Sequence, residues 1–440
     1  MPFRYTVATM PSSTAPNTAV PKAKAALTRP LAVRNFRLLW TGETTSLLGD
    51  QAYAVALPWL ILQLTSSGKA LGLVMMAAAI PRALFMLAGG VIVDRLNARA
   101  VMIASNILRL TAVSTLAVLV MTHRIRIEHV LALAICFGFA EAFFFPAYTS
   151  IVPSLVSIDL LAAANALLTI SFQLALVAGP AIAGIVIGKL GIAPTLWADG
   201  ASFLVSLTML VLLRPGAIAK KAATSLRGSL AEGGRYVWND PVIRGLIFGF
   251  SAINFSTFGP FFVGAPILAK THFGTATALG AMFAFYGVGA LVGGGIAGSV
   301  KRTPNVGPLL LTIAIAGAGA MFGMGLIPQL WLICTVMFIT GGVVGFGRVF
   351  VMAFLQSRAE PHMLGRVMSF VMLGSLGTMP VSFALTGIIA QHSTAIMFSS
   401  AGLCCLVLGS AASMNRTLWS HVQKAATAQT GPGATTGSAA

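Results

Sequence analysis

Long apolar stretches alternate with short polar segments along this chain of 440 residues. A helix needs about 20 consecutive apolar residues to cross the hydrocarbon core of a bilayer. Because that core holds no water to satisfy backbone polar groups, each stretch is expected to be a helix. The pattern predicts an all-α membrane protein with twelve transmembrane helices, at about residues 38–64, 69–93, 99–121, 129–152, 163–188, 192–213, 242–266, 278–300, 305–327, 329–352, 364–390 and 393–414.

A polar stretch at 214–240 separates the sixth predicted helix from the seventh, which predicts two bundles of six helices joined by a linker. We expect the linker to lie on the membrane surface with Leu230, Tyr236, Val237 and Trp238 turned toward lipid. Both ends of the chain are polar and rich in small residues, so we expect them to be disordered tails. The predicted boundaries are a tail at 1–33, bundles at 34–214 and 241–414 with the linker at 215–240 between them, and a tail at 415–440.

Lys and Arg residues are unevenly divided between the two ends of the predicted bundle. Most of the 28 lie in the tails, the linker and the loops on one side, and few lie in the loops opposite. Cytoplasmic loops carry an excess of Lys and Arg, so we expect both termini in the cytoplasm. Residues 1–30 also contain basic residues and no acid, as an organelle transit peptide does, but several prolines there interrupt the amphipathic helix that such a peptide needs.

The composition excludes several other classes of protein. The chain is 57% hydrophobic and only 9% charged, whereas a soluble protein carries about a quarter charged residues. Its net charge of +18 is spread between apolar runs and not gathered into a nucleic-acid-binding patch. The four Cys lie inside apolar runs, and the six His lack the spacing of a metal site. There is no Gly-x-x-x-x-Gly-Lys-Ser/Thr loop for ATP, so we expect no cofactor, no metal and no enzyme activity.

The loop between the second and third predicted helices carries Gly90, Asp94, Arg95 and Arg99. This spacing resembles the Gly-x-x-x-Asp-Arg-x-x-x-Arg signature of the major facilitator superfamily, whose members have two six-helix bundles with both termini in the cytoplasm. The resemblance implies that Asp94 docks against the start of the eleventh helix, near Gly365 and Arg366, when the cytoplasmic side is closed. An ordinary basic loop is the alternative interpretation of these residues.

Further motifs resemble the exporter branch of this superfamily, which contains siderophore exporters and macrolide efflux proteins. They are RNFRLLW at 34–40, FPA at 145–147 and GRVM at 365–368. In the fifth predicted helix, Gly179, Pro180 and Gly184 resemble the Gly-Pro motif of drug–proton antiporters. Small residues spaced by four also form ordinary packing seams, so the motif predicts packing together with a bend at Pro180.

Four of the ten acidic residues lie inside predicted helices, and all four are in the first half of the chain: Glu43, Asp50, Glu141 and Asp199. A charge at the bilayer centre costs about 2.5–3.5 kcal/mol, so each needs a partner or a function. Glu141 in the fourth helix and Arg82 in the second are at similar depth. We therefore predict that Asp50 and Glu141 share Arg82, with Asp50 the closer, so that one acid exchanges a proton.

Other interpretations of these charges remain open. A permanent Arg82–Asp50 pair would serve only to hold the bundle together. Glu43 is close enough to the cytoplasmic surface for water to reach it, and we count it among the coupling candidates. Asp199 is expected to have a structural role near the outer end of its helix, and Arg109 is expected to extend its side chain to the inner surface.

The second half of the chain contains no acid inside a predicted helix, but many aromatic and Met residues. Most aromatic residues in membrane helices pack against neighbours or lipid. A subset facing a cavity would suit a large amphipathic substrate, because soft aromatic and Met surfaces accept varied ligands. We select Asn254, Phe258, Phe262 and Tyr286 as cavity candidates.

Together these patterns predict a secondary transporter in the bacterial inner membrane that exports small amphipathic molecules by alternating access. The expected partners are a small-molecule substrate, a proton and the lipid bilayer, with no nucleic acid, and the expected state is a monomer. An uptake symporter or a lipid flippase on the same fold is the first alternative. A receptor without transport activity is the second, although a receptor has little reason to keep buried charges.

Overall fold

The computed structural model describes residues 27–95, 97–214, 226–300, 306–360 and 362–414, with backbone alone at 87–95, 226–227, 229–230 and 306. Within these ranges the chain is helical without a strand, and twelve helices are long and apolar enough to cross a membrane. The predicted all-α membrane fold is confirmed. The helices are α1 (Arg34–Thr65), α2 (Gly68–Arg95), α3 (Ala98–Met121), α4 (Ile127–Ile151), α5 (Ile158–Leu190), α6 (Ile192–Leu212), α7 (Pro241–Phe273), α8 (Ala276–Ser299), α9 (Val306–Leu326), α10 (Leu330–Arg358), α11 (Leu364–Ala390) and α12 (Thr394–Ser413).

A shorter amphipathic helix, the linker helix (Leu226–Asn239), precedes α7. Residues 1–26, 215–225 and 415–440 of the predicted tails and linker lie outside the described residues. Val237 is buried in a cluster with apolar residues of α7, α9, α10 and α11, and the Tyr236 hydroxyl accepts a hydrogen bond from the Glu360 N–H at 3.2 Å. The expectation that Tyr236 and Val237 face lipid is therefore wrong, whereas Trp238 is 63% exposed.

Asp240 explains why α7 begins where it does. One carboxylate oxygen accepts hydrogen bonds from the N–H groups of Val242 and Ile243, which the first turn of a helix leaves without partners. The other accepts a hydrogen bond from Arg358 of α10 at 2.8 Å. Burial alone would raise the pKa of Asp240, but the Arg358 hydrogen bond and the two backbone hydrogen bonds lower it below its usual value.

The helices pack as two groups of six. In the first group, α1 packs on α5 and α6, α3 on α4 and α6, and α2 on α4. In the second, α7 packs on α11 and α12, α8 on α10, and α9 on α10 and α12. The two groups meet mainly through α2 with α11 and α5 with α8. These two contacts leave space between the groups for a central cavity.

The buried apolar side chains show which end of the molecule is closed. We call the end where α1 begins the linker end and the opposite end the far end. One continuous cluster reaches both groups at the far end and includes Ile61, Ile187, Ile267 and Met397. At the linker end the buried residues form two separate clusters, one within each group. The two groups therefore share a core only toward the far end.

Glycines allow the two groups to approach closely at the far end. A Cβ atom added to Gly72 of α2 would lie 2.8 Å from the Cα of Gly387 in α11. A Cβ atom added to Gly184 of α5 would lie 2.9 Å from the Cα of Gly280 in α8. These distances are too short for any other residue, so both crossings depend on glycine.

Candidate functional site

A cavity of about 160 Å³ lies between the two groups of helices. Its polar wall comes from the first group, where α1, α2 and α4 contribute Asp50, Arg82 and Glu141. The opposite wall is apolar and includes Phe262 of α7 and Phe383 of α11. The arrangement places ionisable and aromatic surfaces on opposite sides of one space, as a site for amphipathic molecules requires.

Arg82 and Glu141 form an ion pair at this wall, with Arg82 Nη1 3.0 Å from Glu141 Oε2. A close helix crossing one turn away positions both side chains. A Cβ atom on Gly138 of α4 would overlap the backbone carbonyl of Ala78 in α2, so only glycine fits. Arg82 follows Ala78 by four residues and Glu141 follows Gly138 by three, so both lie one turn along facing helices. The two side chains are 38% and 27% exposed, so ligands and water can reach the pair.

Asp50 does not take Arg82 as its partner. Arg109 Nη1 of α3 lies 3.6 Å from Asp50 Oδ1, and the Arg109 side chain is only 2% exposed. The predictions that Asp50 is the acid closer to Arg82 and that Arg109 extends to the surface are both wrong. The sequence indicates how deep each charge lies along its helix, but not which way the helix is rotated.

Arg109 is held from several sides at once. Its guanidinium stacks on Phe144 at 4.1 Å and on Phe203 at 4.6 Å from the ring centroids, and it donates a hydrogen bond to Asn106 Oδ1. Sequence reasoning missed this residue as a functional candidate. The available signal was its place near the middle of an apolar run, three residues after the polar Asn106.

Glu43 lies in the same interior region and outside the cavity. Its carboxylate accepts a hydrogen bond from Ser206 Oγ of α6 at 3.3 Å, and Ser206 Oγ accepts one from Asn106 Nδ2 at 2.9 Å. The residue is 5% exposed, so the expectation that water reaches Glu43 is not met here. A chain of hydrogen bonds thus connects Glu43 through Ser206 and Asn106 to Arg109.

The motif of the fifth helix lies where the two groups of helices meet. Gly179 packs against Gln51 of α1, since an added Cβ would lie 2.5 Å from the Gln51 Cβ. The carbonyl oxygen of Pro180 faces Gly280 of α8, and the carbonyl oxygen of Gly184 accepts a hydrogen bond from Thr277 Oγ1 at 3.1 Å. Pro180 and Gly184 thus contribute to the closed far end, whereas Gly179 packs within the first group.

The predicted gating residues are only partly described. Only the backbone of Gly90, Asp94 and Arg95 is described, so the docking of Asp94 stays a prediction. Arg99 donates to the carbonyl oxygens of residues 210 and 211 in α6 at 2.7 and 2.6 Å, which ties together helices of one group.

On the other group, Arg366 Nη1 lies 2.6 Å from Glu232 Oε1 of the linker helix. Gly365, beside it, has open space around its position. The start of α11 is therefore bound to the linker helix in this conformation.

The cavity candidates of the second group separate into three environments. Phe262 lines the central cavity, whereas Phe258 and Tyr286 line a smaller cavity within the second group. Phe261, which was not selected, stacks on Phe283 at 4.5 Å and lies 4.3 Å from the Tyr286 ring. Asn254 is buried and donates a hydrogen bond to Ser375 Oγ at 3.1 Å. Asn254 therefore lies outside both cavities and connects α7 to α11.

Comparison with known proteins decides the family. The model of the family described as "Transmembrane secretion effector" (MFS_3) matches residues 25–432. This chain belongs to that family of the major facilitator superfamily. It is therefore a transporter of the major facilitator type, a multi-pass protein of the bacterial plasma membrane.

Curated relatives with a named activity are efflux pumps. The transporter is 28% identical over 384 residues to the multidrug efflux pump Tap of Mycolicibacterium fortuitum, a match that covers 82% of this chain and 91% of that protein. It is 27% identical over 363 residues to the Tap pump of Mycobacterium tuberculosis, covering 77% and 83%. These relatives support an efflux function.

Solved structures agree on the fold. The nucleoside transporter NupG matches with a TM-score of 0.72 at 13% identity, covering 88% of this chain and 99% of NupG. A bacterial homologue of the human lysosomal transporter Spinster matches with a TM-score of 0.63 at 16% identity, covering 90% and 96%. At such low identity these similarities show the fold alone.

Proposed function

We propose that this transporter exports small amphipathic molecules in exchange for protons, as a monomer with its linker end in the cytoplasm. The observation that carries the proposal is the Arg82–Glu141 ion pair on one wall of a cavity whose other wall is aromatic. The names of the Tap relatives support the direction of transport and a drug-like substrate.

The cavity favours a substrate with an apolar body and one polar or cationic group. Phe262, Met379 and Phe383 offer apolar contacts that adapt to varied shapes. Glu141 is the acceptor for a cationic group, because displacing Arg82 from Glu141 frees a carboxylate within the cavity.

Proton coupling follows from competition at Glu141. Either a proton or a cationic substrate neutralises this carboxylate in a low-dielectric space, and binding of one disfavours the other. Proton entry from outside therefore releases the substrate there, and proton loss to the cytoplasm prepares the site for the next substrate. Alternating closure of the far end and the linker end carries the site between the two sides.

The decisive experiment uses everted membrane vesicles with an acidic interior. It measures uptake of a lipophilic fluorescent cation driven by this pH gradient. We expect Glu141→Gln to abolish uptake driven by the gradient while the protein remains folded, and to weaken binding of the cation, because the variant lacks the carboxylate that accepts it. The matched control is Glu128→Gln, an exposed acid in the first turn of the same helix, which should transport like the unmodified protein. Gradient-driven uptake at the unmodified rate by Glu141→Gln would contradict the proposal, and accumulation only in right-side-out vesicles would favour an uptake symporter.

A further inference from the structure

A second group of charged residues lies behind the cavity wall, between α1, α3 and α6. We call it the interior carboxyl cluster: Glu43, Asp50, Asp199 and Arg109. Asp199 is the most deeply buried of its acids, at 0% exposure. Among the described residues, neither oxygen of its carboxyl group has a hydrogen-bond partner. The neighbouring Ser202 hydroxyl donates to the Asp199 backbone carbonyl oxygen at 2.7 Å.

The surroundings of Asp199 exclude water. A Cβ atom added to Gly49 of α1 would lie 2.5 Å from Asp199 Oδ1, so the backbone of α1 covers the carboxyl group directly. One turn earlier in α6, the buried hydroxyl of Thr195 also lacks a partner among the described residues. A carboxyl group enclosed in this way is stable only if it is neutral or has a cation beside it.

The charges facing Asp199 favour the neutral form. From α1 the titratable neighbours are Asp50 and Tyr53, and from α3 the charged neighbour is Arg109. From α5 there is only Lys189, exposed at the far end, and Asp159, exposed at the opposite end of the helix. Arg109 forms its ion pair with Asp50, so its charge is already balanced. An ionised Asp199 would add an uncompensated negative charge in the hydrocarbon region.

We propose that Asp199 is a second proton-binding site of the transporter, occupied when the far end is closed and connected to the cavity through Asp50. The inference rests on the proposed proton coupling and extends it to a residue outside the cavity. Asp50 both lines the cavity and contacts Arg109, so it belongs to both polar regions.

The proposed proton step exchanges one proton between two carboxyl groups, and it requires α1 and α6 to shift, because in this conformation neither Asp199 oxygen has a hydrogen-bond partner among the described residues. The O–H bond of Asp199 breaks, an O–H bond forms on Asp50, and Arg109 transfers its ion pair from Asp50 to the newly ionised Asp199. Net charge inside the cluster is unchanged, and the proton reaches a residue that the cavity exposes. Arg109 can serve both acids because its guanidinium offers five N–H donors.

Infrared spectroscopy of the purified protein tests the protonation directly. Protonated carboxyl groups give a C=O stretching band that carboxylates lack. At neutral pH, where exposed acids are ionised, we expect the unmodified protein to show this band and Asp199→Asn to lose the part that Asp199 contributes. The matched control Asp159→Asn removes an exposed acid and should leave the band intact. An unchanged band in folded Asp199→Asn would overturn the assignment, as would a band that sodium ions remove at constant pH.

A more conservative variant covers the case in which Asp199→Asn does not fold. Ser202→Ala removes the hydroxyl group that lies beside the Asp199 carboxyl group and donates to its backbone carbonyl oxygen, so it should shift the position of the Asp199 band. An unchanged band position in this variant would then overturn the assignment.

Vesicle transport tests whether the Asp199 proton takes part in the cycle. We expect Asp199→Asn to keep exchange of labelled for unlabelled substrate but to lose its acceleration by a pH gradient. Full gradient-driven transport in this variant would show a permanently protonated acid and overturn the coupling role. If the unmodified protein itself ignores the gradient, the proposed proton coupling fails, whereas the infrared result still decides whether Asp199 binds a proton.

Discussion

Arg109 is a cation enclosed entirely within the first group of helices, where its charge meets three kinds of partner. Asp50 supplies the opposite charge, Asn106 accepts a hydrogen bond, and the guanidinium lies over the rings of Phe144 and Phe203. A buried ion pair of this kind stabilises a membrane protein only while both charges are present. Removal of one leaves the other unpaired in a low-dielectric interior.

We therefore expect Arg109→Met to destabilise the transporter by about 3–5 kcal/mol, the usual range for breaking a buried ion pair. Thermal unfolding in detergent measures this as a lower Tm. The double variant with Asp50→Asn should recover part of the loss, because it removes the charge left behind. Arg82→Met is the control, since Arg82 is 38% exposed and its loss should matter less. Equal losses for Arg109→Met and Arg82→Met would contradict this account.

At the scale of elements, α7 is the most irregular membrane helix within the described part of the chain. Two π-helical segments, Pro260–Gly264 and Ala269–Phe273, interrupt its α-helical hydrogen bonding. Just before the first, Ser382 of α11 replaces an intrahelical bond. Its hydroxyl accepts a hydrogen bond from the Gly259 N–H at 2.8 Å and donates one to the Phe255 carbonyl oxygen. A side chain from one helix thus completes the backbone of another, beside the aromatic wall of the cavity.

Ser382→Ala should leave this donor and acceptor buried without partners and destabilise the protein by about 1–3 kcal/mol. The measurement is thermal unfolding, together with hydrogen exchange at the α7 backbone. Ser369→Ala on the same helix is the matched control, because that exposed hydroxyl bonds only to its own helix. A Tm unchanged by Ser382→Ala would show that α7 does not depend on this bridge.

For the whole molecule, the two glycine crossings define a conformation closed at the far end. Gly72 with Gly387 and Gly184 with Gly280 occupy equivalent places on the two sides of the cavity. Because any larger side chain there would strike backbone, closure of the far end depends on all four positions.

Gly387→Val should prevent far-end closure and abolish transport without unfolding the protein. A Cβ atom at this position would lie 2.6 Å from the Gly68 carbonyl oxygen, so α2 and α11 must separate. Spin labels on Lys69 and Gln391, which are exposed near this crossing, should report a longer distance than in the unmodified protein. Gly319→Val is the control, because nothing lies within 4 Å of that position. An unchanged label distance with normal transport would exclude the crossing as a gate.

The sequence by itself was enough to predict the fold class, the family and the existence of buried charges. In lipid, the backbone N–H and C=O groups of an apolar run find hydrogen-bond partners only within a helix. The number of membrane helices therefore follows from the length and hydropathy of the twelve runs alone. The motif between α2 and α3 was informative because its charged residues are not tolerated in lipid. The motif of the fifth helix was informative because its glycines allow close packing of helices.

The tertiary structure alone decided which charges meet. Asp50, Arg82, Arg109 and Glu141 all lie deep in their helices, and depth is readable from residue counting. Their pairing depends on helix rotation and on crossings such as Gly138 with Ala78, which place Glu141 beside Arg82 and leave Asp50 to Arg109. The burial of Val237 and of Asp199 was also decided by the tertiary structure. In both cases a helix distant in sequence packs over the face that carries the residue. Local sequence specifies the helix and its apolar character, whereas contacts between distant helices determine which of its faces is enclosed.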